Sequence, residues 1–197
     1  MSGPIDWSAM LQDIITLFIV IDPITLGIYV GASTADSPPE IRSSIVRRGV
    51  CGGCIILLFF AVVGDYVLGY FGIESFDFMI ALGIILMIVA ILDFMDLHLP
   101  KELKRDKPSL VPIATPLIAG PAAISTIIFI KYSHGVVYAI ISIIINTLLT
   151  YVSLKGGTKL AELLGKSGSQ LIDKIIALIL AGLAISLIRR GILNIIP

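Results

Sequence analysis

Six stretches of this chain are apolar over the length of a membrane-spanning helix, and this feature limits the possible folds more than any other. They cover residues 9–34, 49–70, 76–95, 110–131, 135–154 and 172–193. Each reaches the roughly 20 residues that an α-helix needs to cross ~30 Å of hydrocarbon. With 57% hydrophobic residues, the chain also has too little polar surface for a soluble domain. We therefore predict an all-α, multi-pass membrane protein with six transmembrane helices.

The pattern within the apolar stretches favours helices over strands. A transmembrane β-barrel needs strict apolar and polar alternation, whereas the run IALGIILMIVAIL at 80–92 is apolar on every face. The first residues, MSGPIDWSAM, carry no basic cluster ahead of a short apolar core. A cleaved signal peptide is therefore not expected, and the first span is expected to stay in the protein.

Basic residues are concentrated in three of the predicted loops. These loops follow the first span, follow the third span and surround the connection between the fifth and sixth, and they hold eleven of the 14 Lys and Arg residues. Because basic loops face the cytoplasm, the pattern predicts that both termini lie outside and that the protein resides in the plasma (inner) membrane. The net charge of zero gives no indication of nucleic-acid binding.

A faint internal repeat links the two halves of the chain. The segment IDPITLG at 21–27 aligns without gaps with ATPLIAG at 114–120, and each lies in the first span of a group of three. Three is an odd number, so the second group enters the membrane from the opposite side. We therefore predict an inverted 3+3 repeat, with halves 1–98 and 99–197 in one membrane domain.

Both aligned segments contain signals that interrupt a helix. Pro23 has no N–H, so the carbonyl of Ile19 loses its usual partner and the helix must kink or stop. An Asp or Thr directly before a proline is also a helix start, because the side chain caps the new helix and proline suits its first position. Thr115 repeats this signal, and Pro121 adds a second interruption. We predict that the first and fourth transmembrane helices are discontinuous.

Interrupted helices in a membrane indicate a binding site. Unsatisfied backbone groups survive at this depth only against protein or a wet cavity, so we expect the two breaks to face each other. Restarted helices offer N–H groups to a carboxylate, and freed carbonyls suit an ammonium or a small cation, so a zwitterionic amino acid fits both. The candidate substrate-binding residues are Asp22, Pro23, Thr25, Gly27, Thr115, Gly120, Pro121, Ala122, Ala123 and Ser125.

Some of these candidates also have a structural interpretation. Asp22 is the candidate for proton coupling, because an acid inside a span usually marks a pathway or a ligand, but it could serve only as a helix cap. Thr115 occupies the equivalent place without charge and is more typical of a cap. Gly27 and Gly120 could line a cavity or allow close helix packing. A hydroxyl at Ser125 could point into a pocket or bond to its own helix.

Other polar residues have simpler interpretations. Cys51 and Cys54 form a CGGC motif without a second Cys or His pair for zinc, so we interpret them as small helix residues in a reducing compartment. Asn146 is expected to bond to another helix. We expect Asp65, Asp93 and Asp96 to be solvated carboxylates at span ends. We expect His98 and His134 to lie in loops, without neighbouring metal ligands. Neither a metal nor another cofactor is predicted.

The segments VIDPITLGIY at 20–29 and VPIATPLIAGPAAISTI at 111–127 resemble the MarC family of six-helix membrane proteins. The resemblance covers essentially the whole chain, and its specific elements are Asp22-Pro23 and the run from Pro116 to Pro121. The family includes SnatA-like transporters of glycine and other small neutral amino acids that depend on the proton gradient. The resemblance therefore implies the same kind of transport here, with site residues at Asp22, Gly27, Gly120 and Pro121. The family is also similar to LysE-type exporters, which makes export a possible direction.

The chain departs from the usual family pattern at four positions. Thr25, Leu26 and Ile28 stand where the family usually has glycine, asparagine and a second proline. Ala122 stands where a glycine usually follows the Ala-Gly-Pro sequence. These differences bear on which substrate the resemblance implies more than on which fold it implies.

Three functional hypotheses follow from the sequence. The first is a secondary transporter of a small neutral amino acid that works by alternating access in the lipid bilayer, with a proton or sodium as coupling ion. The sequence has no Walker-type phosphate-binding loop, so an ATP-driven pump is not expected. The second is a cation channel or exchanger. The third, a membrane enzyme with paired aspartates, is not favoured because Asp22 has no second acid at mid-membrane depth, so we expect no enzyme.

Overall fold

The computed structural model describes residues 6–34, 37–95 and 118–195, and these residues form helices and no strand. The helices are α1 (Trp7–Ile21), α2 (Pro23–Ser33), α3 (Pro39–Tyr70), α4 (Ser75–Phe94), α5 (Pro121–His134) and α6 (Val136–Ile195). The predicted all-helical class is therefore confirmed for the part of the chain that is described.

Five segments of the described residues are long and apolar enough to cross a membrane. They are Trp7–Gly31, Pro39–Gly64, Phe76–Phe94, Val136–Gly157 and Gln170–Ile195, and they correspond to the predicted spans one, two, three, five and six. In the predicted fourth span, residues 110–117 lie outside the described residues, and most of the remainder forms α5. The sixth span, the inverted repeat and the outside position of the termini stay predictions.

The long helix α6 turns back on itself at Gly165. This residue has φ 62° and ψ −178°, a backbone conformation that is essentially restricted to glycine. On either side of it, Ser153 bonds to Pro23 and Asp173 bonds to Thr25, each at 2.6 Å. Twenty residues of straight helix would separate Ser153 from Asp173 by about 30 Å, too far for both to reach one turn of α2. We call residues 136–164 the first arm and residues 166–195 the second arm.

The helices α1 and α2 run parallel to the first arm. The N–H of Asp6 donates to the Tyr138 hydroxyl, and the Asn146 amide donates to the carbonyl of Ile14, both across 132 positions. Beyond the break, the Ser153 hydroxyl donates to the carbonyl of Pro23 across 130 positions. The nearly constant separation shows that α2 continues along the same partner after the interruption of the first helix.

The helix α4 packs along the second arm through small residues. A Cβ atom at Gly83 would lie 2.6 Å from Ile188, and one at Gly191 would lie 2.9 Å from the carbonyl oxygen of Phe76. Glycine therefore lets the two helices approach closely, as is usual between membrane helices. This contact runs along the helices to the Asp93 end of α4, where Lys174 lies 6.0 Å from the ring centre of Phe94.

Candidate functional site

The first transmembrane helix is interrupted at Asp22. This residue has φ 47° and ψ 65°, and among the described residues it is the one non-glycine with a positive φ. Its N–H donates to the carbonyl of Phe18 at 2.9 Å, and its carboxylate accepts the N–H of Thr25 at 3.3 Å. Asp22 thus ends α1 and caps α2, and the predicted discontinuity of the first helix is confirmed.

The helix α5 begins directly after Gly120. Gly120 is extended, with φ −69° and ψ 168°, and no side chain of the described residues caps the first turn. Because Pro121 has no N–H, the N–H groups of Ala122 and Ala123 stand at the open end of this helix. This start coincides with the interruption predicted at Pro121, but residues 110–117 lie outside the described residues, so the discontinuity of the fourth helix stays a prediction. The predicted cap at Thr115 lies outside the described residues.

The break before α2 and the start of α5 lie beside each other. Ile21, at the end of α1, packs with Ala119 and Ala123 in one buried cluster. On the other side of the break, Leu26 packs with Ile118 in a second buried cluster. Residues that flank one helix end therefore share buried clusters with residues that flank the other, which agrees with the expectation that the breaks face each other.

Two carboxylates, one at the break and one on the second arm, bond to Thr25. The Thr25 hydroxyl donates to Oδ1 of Asp173 at 2.6 Å, while the N–H of the same residue donates to Asp22. Asp93, near the end of α4, is close enough to act electrostatically on Asp22. This concentration of negative charge suits an ammonium group or a small cation.

Gly27 lies at a close crossing of α2 and the first arm. A Cβ atom at Gly27 would lie 2.7 Å from the carbonyl oxygen and the hydroxyl oxygen of Ser153. A Cβ atom at Gly157 would in turn meet the carbonyl of Gly27. Of the two interpretations of Gly27, the geometry favours close packing.

The remaining candidates lie along the first turns of α5. Pro121 is exposed, and Ala122 packs against the buried cluster formed by α4 and the second arm. Ser125 is half-buried. The hydroxyl of the next residue, Thr126, donates to the carbonyl of Ala122 at 2.8 Å, so it bonds to its own helix.

Sequence reasoning missed Asp173 as a site residue. Its partner Thr25 is 148 positions away, and its neighbour Lys174 belongs to the basic connection between two spans. The available signal was an acid in the first turn of an apolar span, Gln170–Ile195. Asp93 was predicted as a solvated residue at a span end; it does lie near the end of α4, but half-buried and near Asp22.

A second polar contact lies farther along α1. Asp13 is 4% exposed, and its Oδ2 lies 2.7 Å from Nδ1 of His134. His134 was predicted in a loop, but it is the last residue of α5. The Asn146 amide donates to Ile14, which confirms the expected bond to another helix. Within the described residues, no group of three or more His, Cys, Asp or Glu could hold a metal ion.

Comparison with known proteins places the chain among membrane proteins. A family model described as "MarC family integral membrane protein" matches residues 7–196. The chain is 30% identical over 194 residues to a UPF0056 membrane protein of Methanocaldococcus jannaschii, with 91% of this chain and 85% of the relative covered. A UPF0056 membrane protein of Pyrococcus horikoshii is 32% identical over 163 residues, covering 79% and 80%. One from Buchnera aphidicola is 28% identical over 186 residues, covering 90% and 93%. No solved structure matches the chain.

Proposed function

We propose that this chain, which belongs to the MarC family of integral membrane proteins, is a secondary active transporter of small neutral amino acids such as glycine or alanine. The observation that carries the proposal is the interruption of the first helix at Asp22, beside the start of α5, which no side chain of the described residues caps. Interrupted helices at one depth are the usual binding sites of such transporters.

The acidic side of the break supports binding of a substrate ammonium group. Asp22 and Asp173 both bond to Thr25, so their carboxylates are held near each other and near the carbonyl that Pro23 leaves without an N–H donor. Carboxylates and carbonyls accept hydrogen bonds, and an ammonium has three to donate. The same groups would bind a carboxylate poorly.

The α5 side of the break supports binding of the substrate carboxylate. The start of α2 is already occupied by the carboxylate of Asp22, whereas no described side chain caps α5. The N–H groups of Ala122 and Ala123, together with the positive end of the helix dipole, favour a negative group at that position. A small zwitterion therefore finds an acceptor on one helix end and donors on the other.

Coupling is proposed to occur at Asp22, by proton binding and release. A carboxyl inside a membrane span that also caps a helix changes its hydrogen bonding when it gains a proton, because the neutral acid is a weaker acceptor. Loss of the cap would loosen the joint between α1 and α2. That joint is the expected hinge as the access side alternates.

The test is glycine uptake by proteoliposomes under an imposed proton gradient. Asp22→Asn keeps a side-chain oxygen that can cap α2 but cannot bind a proton, so gradient-driven accumulation should fall at least tenfold. Glu162→Gln is the matched control, because this carboxylate is exposed on the first arm and should be dispensable. Accumulation by Asp22→Asn at the wild-type level would exclude Asp22 from coupling, and no glycine uptake by the wild type would exclude the substrate.

A cation channel or exchanger is the second candidate function. The hydrogen bonds of Asp22 and Asp173 to the same residue, Thr25, favour it, since two neighbouring carboxylates attract a cation. Thermal unfolding distinguishes the two functions, because a ligand that binds the folded protein raises its apparent stability. Stabilisation by sodium alone would favour the cation function, and stabilisation by glycine would favour transport. Uptake in both vesicle orientations would then distinguish import from LysE-like export.

A further inference from the structure

A small cavity lies between α1, α4, α5 and the second arm, at some distance from the break. Its volume is about 40 Å³, and it is partly open to the surroundings. A water molecule needs roughly 10 to 15 Å³ of such space, so the cavity has room for about three water molecules or for one carboxylate group. Its lining includes the polar residues Gln12, Thr16, Thr126, Ser186 and Arg190.

The polar side chains of the cavity provide mostly hydrogen-bond donors. The hydroxyls of Thr16 and Thr126 each donate to the carbonyl four residues earlier in their own helix, at 2.7 and 2.8 Å, so their oxygens can only accept further bonds. Among the described residues, the side chains of Gln12, Ser186 and Arg190 make no hydrogen bond. Together they offer the five N–H groups of a guanidinium, an amide NH₂ and a hydroxyl.

Arg190 also gives the cavity a positive charge. The described residues that line it include neither Asp nor Glu, and no described acid forms an ion pair with Arg190. Asp13, the acid next to Gln12 in the sequence, lies instead 2.7 Å from His134. A guanidinium binds a carboxylate through two parallel charge-assisted hydrogen bonds, so the cavity is suited to a carboxylate.

The neighbouring Arg189 has a different environment. It lines an exposed groove whose other residues are all apolar: Ile185, Ile188, Ile192 and Leu193. An arginine near the end of a span commonly extends along apolar surface in this way and keeps its charge at the membrane boundary. Arg190 instead shares a cavity with four other polar side chains, so its surroundings are not explained by its place near a span end.

Apolar side chains lie between the cavity and the break. Leu82 lines the cavity and belongs to a buried cluster against which Ile19 and Val20 pack. In α1 these two residues stand between Thr16, at the cavity, and Asp22, at the break, which are about 9 Å apart along the helix. A molecule in the cavity would therefore have to pass an apolar layer to reach the break.

We propose that this cavity is a second binding subsite, which holds the substrate carboxylate before the molecule passes the apolar layer. The assignment rests on the proposed amino-acid transport and adds a place of first binding. Arg190 binds the carboxylate, and Gln12 and Ser186 donate further hydrogen bonds to it. The hydroxyl oxygens of Thr16 and Thr126 remain as acceptors for the substrate ammonium. The cavity lies toward the end of the second arm remote from Gly165, which the charge pattern predicts to face outside.

Charged thiol reagents test the electrostatics of the cavity without any need for transport. In a background with Cys51→Ser and Cys54→Ala, Ser186→Cys places a thiol in the cavity. Its rates of reaction are measured with two methanethiosulfonates, one carrying a sulfonate and one a trimethylammonium. Relative to free cysteine, the ratio of the sulfonate rate to the ammonium rate should be raised, and Arg190→Gln should lower it at least fivefold. Arg189→Gln is the matched control and should leave the ratio unchanged. An unaltered ratio in Arg190→Gln would overturn the subsite.

Protection of the same thiol identifies the ligand. At constant ionic strength set with chloride, acetate and glycine should each slow the sulfonate reagent at least threefold, whereas methylammonium should not. Arg190→Gln should abolish this protection, and Arg189→Gln should preserve it. Protection by phosphatidylglycerol but not by acetate or glycine would identify a lipid phosphate as the ligand and overturn the substrate subsite. Protection by none of these molecules would overturn it as well.

Glycine uptake by proteoliposomes tests the role in transport and does not depend on the introduced cysteine. Arg190→Gln should raise the KM for glycine at least fivefold, and Arg189→Gln should leave it at the wild-type value. An unchanged KM in Arg190→Gln would overturn the subsite while the proposed function stands. If the wild type takes up no glycine but acetate still protects Ser186→Cys through Arg190, the proposed function fails and the carboxylate site remains.

Discussion

Thr25 joins two carboxylates of different helices into one hydrogen-bonded group. Its hydroxyl donates to Asp173 of the second arm, and its backbone N–H donates to Asp22 at the break. The helix start and the second arm are thereby held together at the place where we propose that the substrate ammonium binds.

We expect Thr25→Val to weaken glycine binding while the helix break persists. Valine keeps the backbone N–H that bonds to Asp22 but leaves Asp173 without its partner, so the two carboxylates should separate through their mutual repulsion. The rise in apparent Tm produced by glycine should shrink by at least half. Thr16→Val is the control, because the hydroxyl of Thr16 bonds within its own helix. An unaltered glycine effect in Thr25→Val would contradict a role for this link.

At the residue scale, sequence reasoning identifies site residues only where a local pattern makes them conspicuous. Asp22 is conspicuous because an acid and a proline interrupt an apolar run, and Pro121 because it follows a glycine. Asp173 and Asp13 are not conspicuous, because each acquires its meaning from a partner more than 100 positions away. Only the packing of the helices brings those partners together.

At the scale of helices, the contact between α2 and the first arm depends on the absence of a side chain at Gly27. We expect Gly27→Ala to lower the free energy of unfolding by about 1 to 3 kcal/mol, because the added Cβ would lie 2.7 Å from the backbone of Ser153. Gly182→Ala is the matched control, since nothing lies within 4 Å of its added Cβ, and it should be neutral or slightly stabilising. Chemical denaturation in mixed micelles measures both.

The same pair of variants separates the two interpretations of Gly27. If Gly27 serves only packing, Gly27→Ala should lose stability while the surviving folded protein transports glycine with an unchanged KM. A raised KM at unchanged stability would instead support the cavity interpretation and contradict the packing one.

The turn within α6 shows why some elements could not be read from sequence. The pattern around residues 155–171 predicts a connection between two spans, and the chain does fold back there, but helix continues on both sides of a single glycine. Gly165 is one of 18 glycines, and what distinguishes it is a non-helical φ and ψ between two helical stretches, which the sequence does not reveal. The interruption at Asp22 was predictable, because the proline that follows it excludes a regular helix hydrogen bond whatever the surroundings.

At the scale of the whole molecule, the contacts define two ends of the bundle. The second arm extends about 39 Å from Gly165 to Gly191, which contacts Phe76 near the turn between α3 and α4. Gly165 and the α3–α4 turn therefore lie at opposite ends. The charge pattern predicts that the Gly165 end, with its surrounding lysines, faces the cytoplasm.

We expect single cysteines at the two ends to react from opposite sides of the membrane. In a background with Cys51→Ser and Cys54→Ala, Lys159→Cys should react with an impermeant maleimide only in inverted vesicles, and Phe71→Cys only in right-side-out vesicles. Both native side chains are exposed, so access to the reagent is not limited by the fold. Labelling of Lys159→Cys in right-side-out vesicles would reverse the orientation. Labelling of both variants from one side would contradict the arrangement of the second arm as a complete membrane crossing.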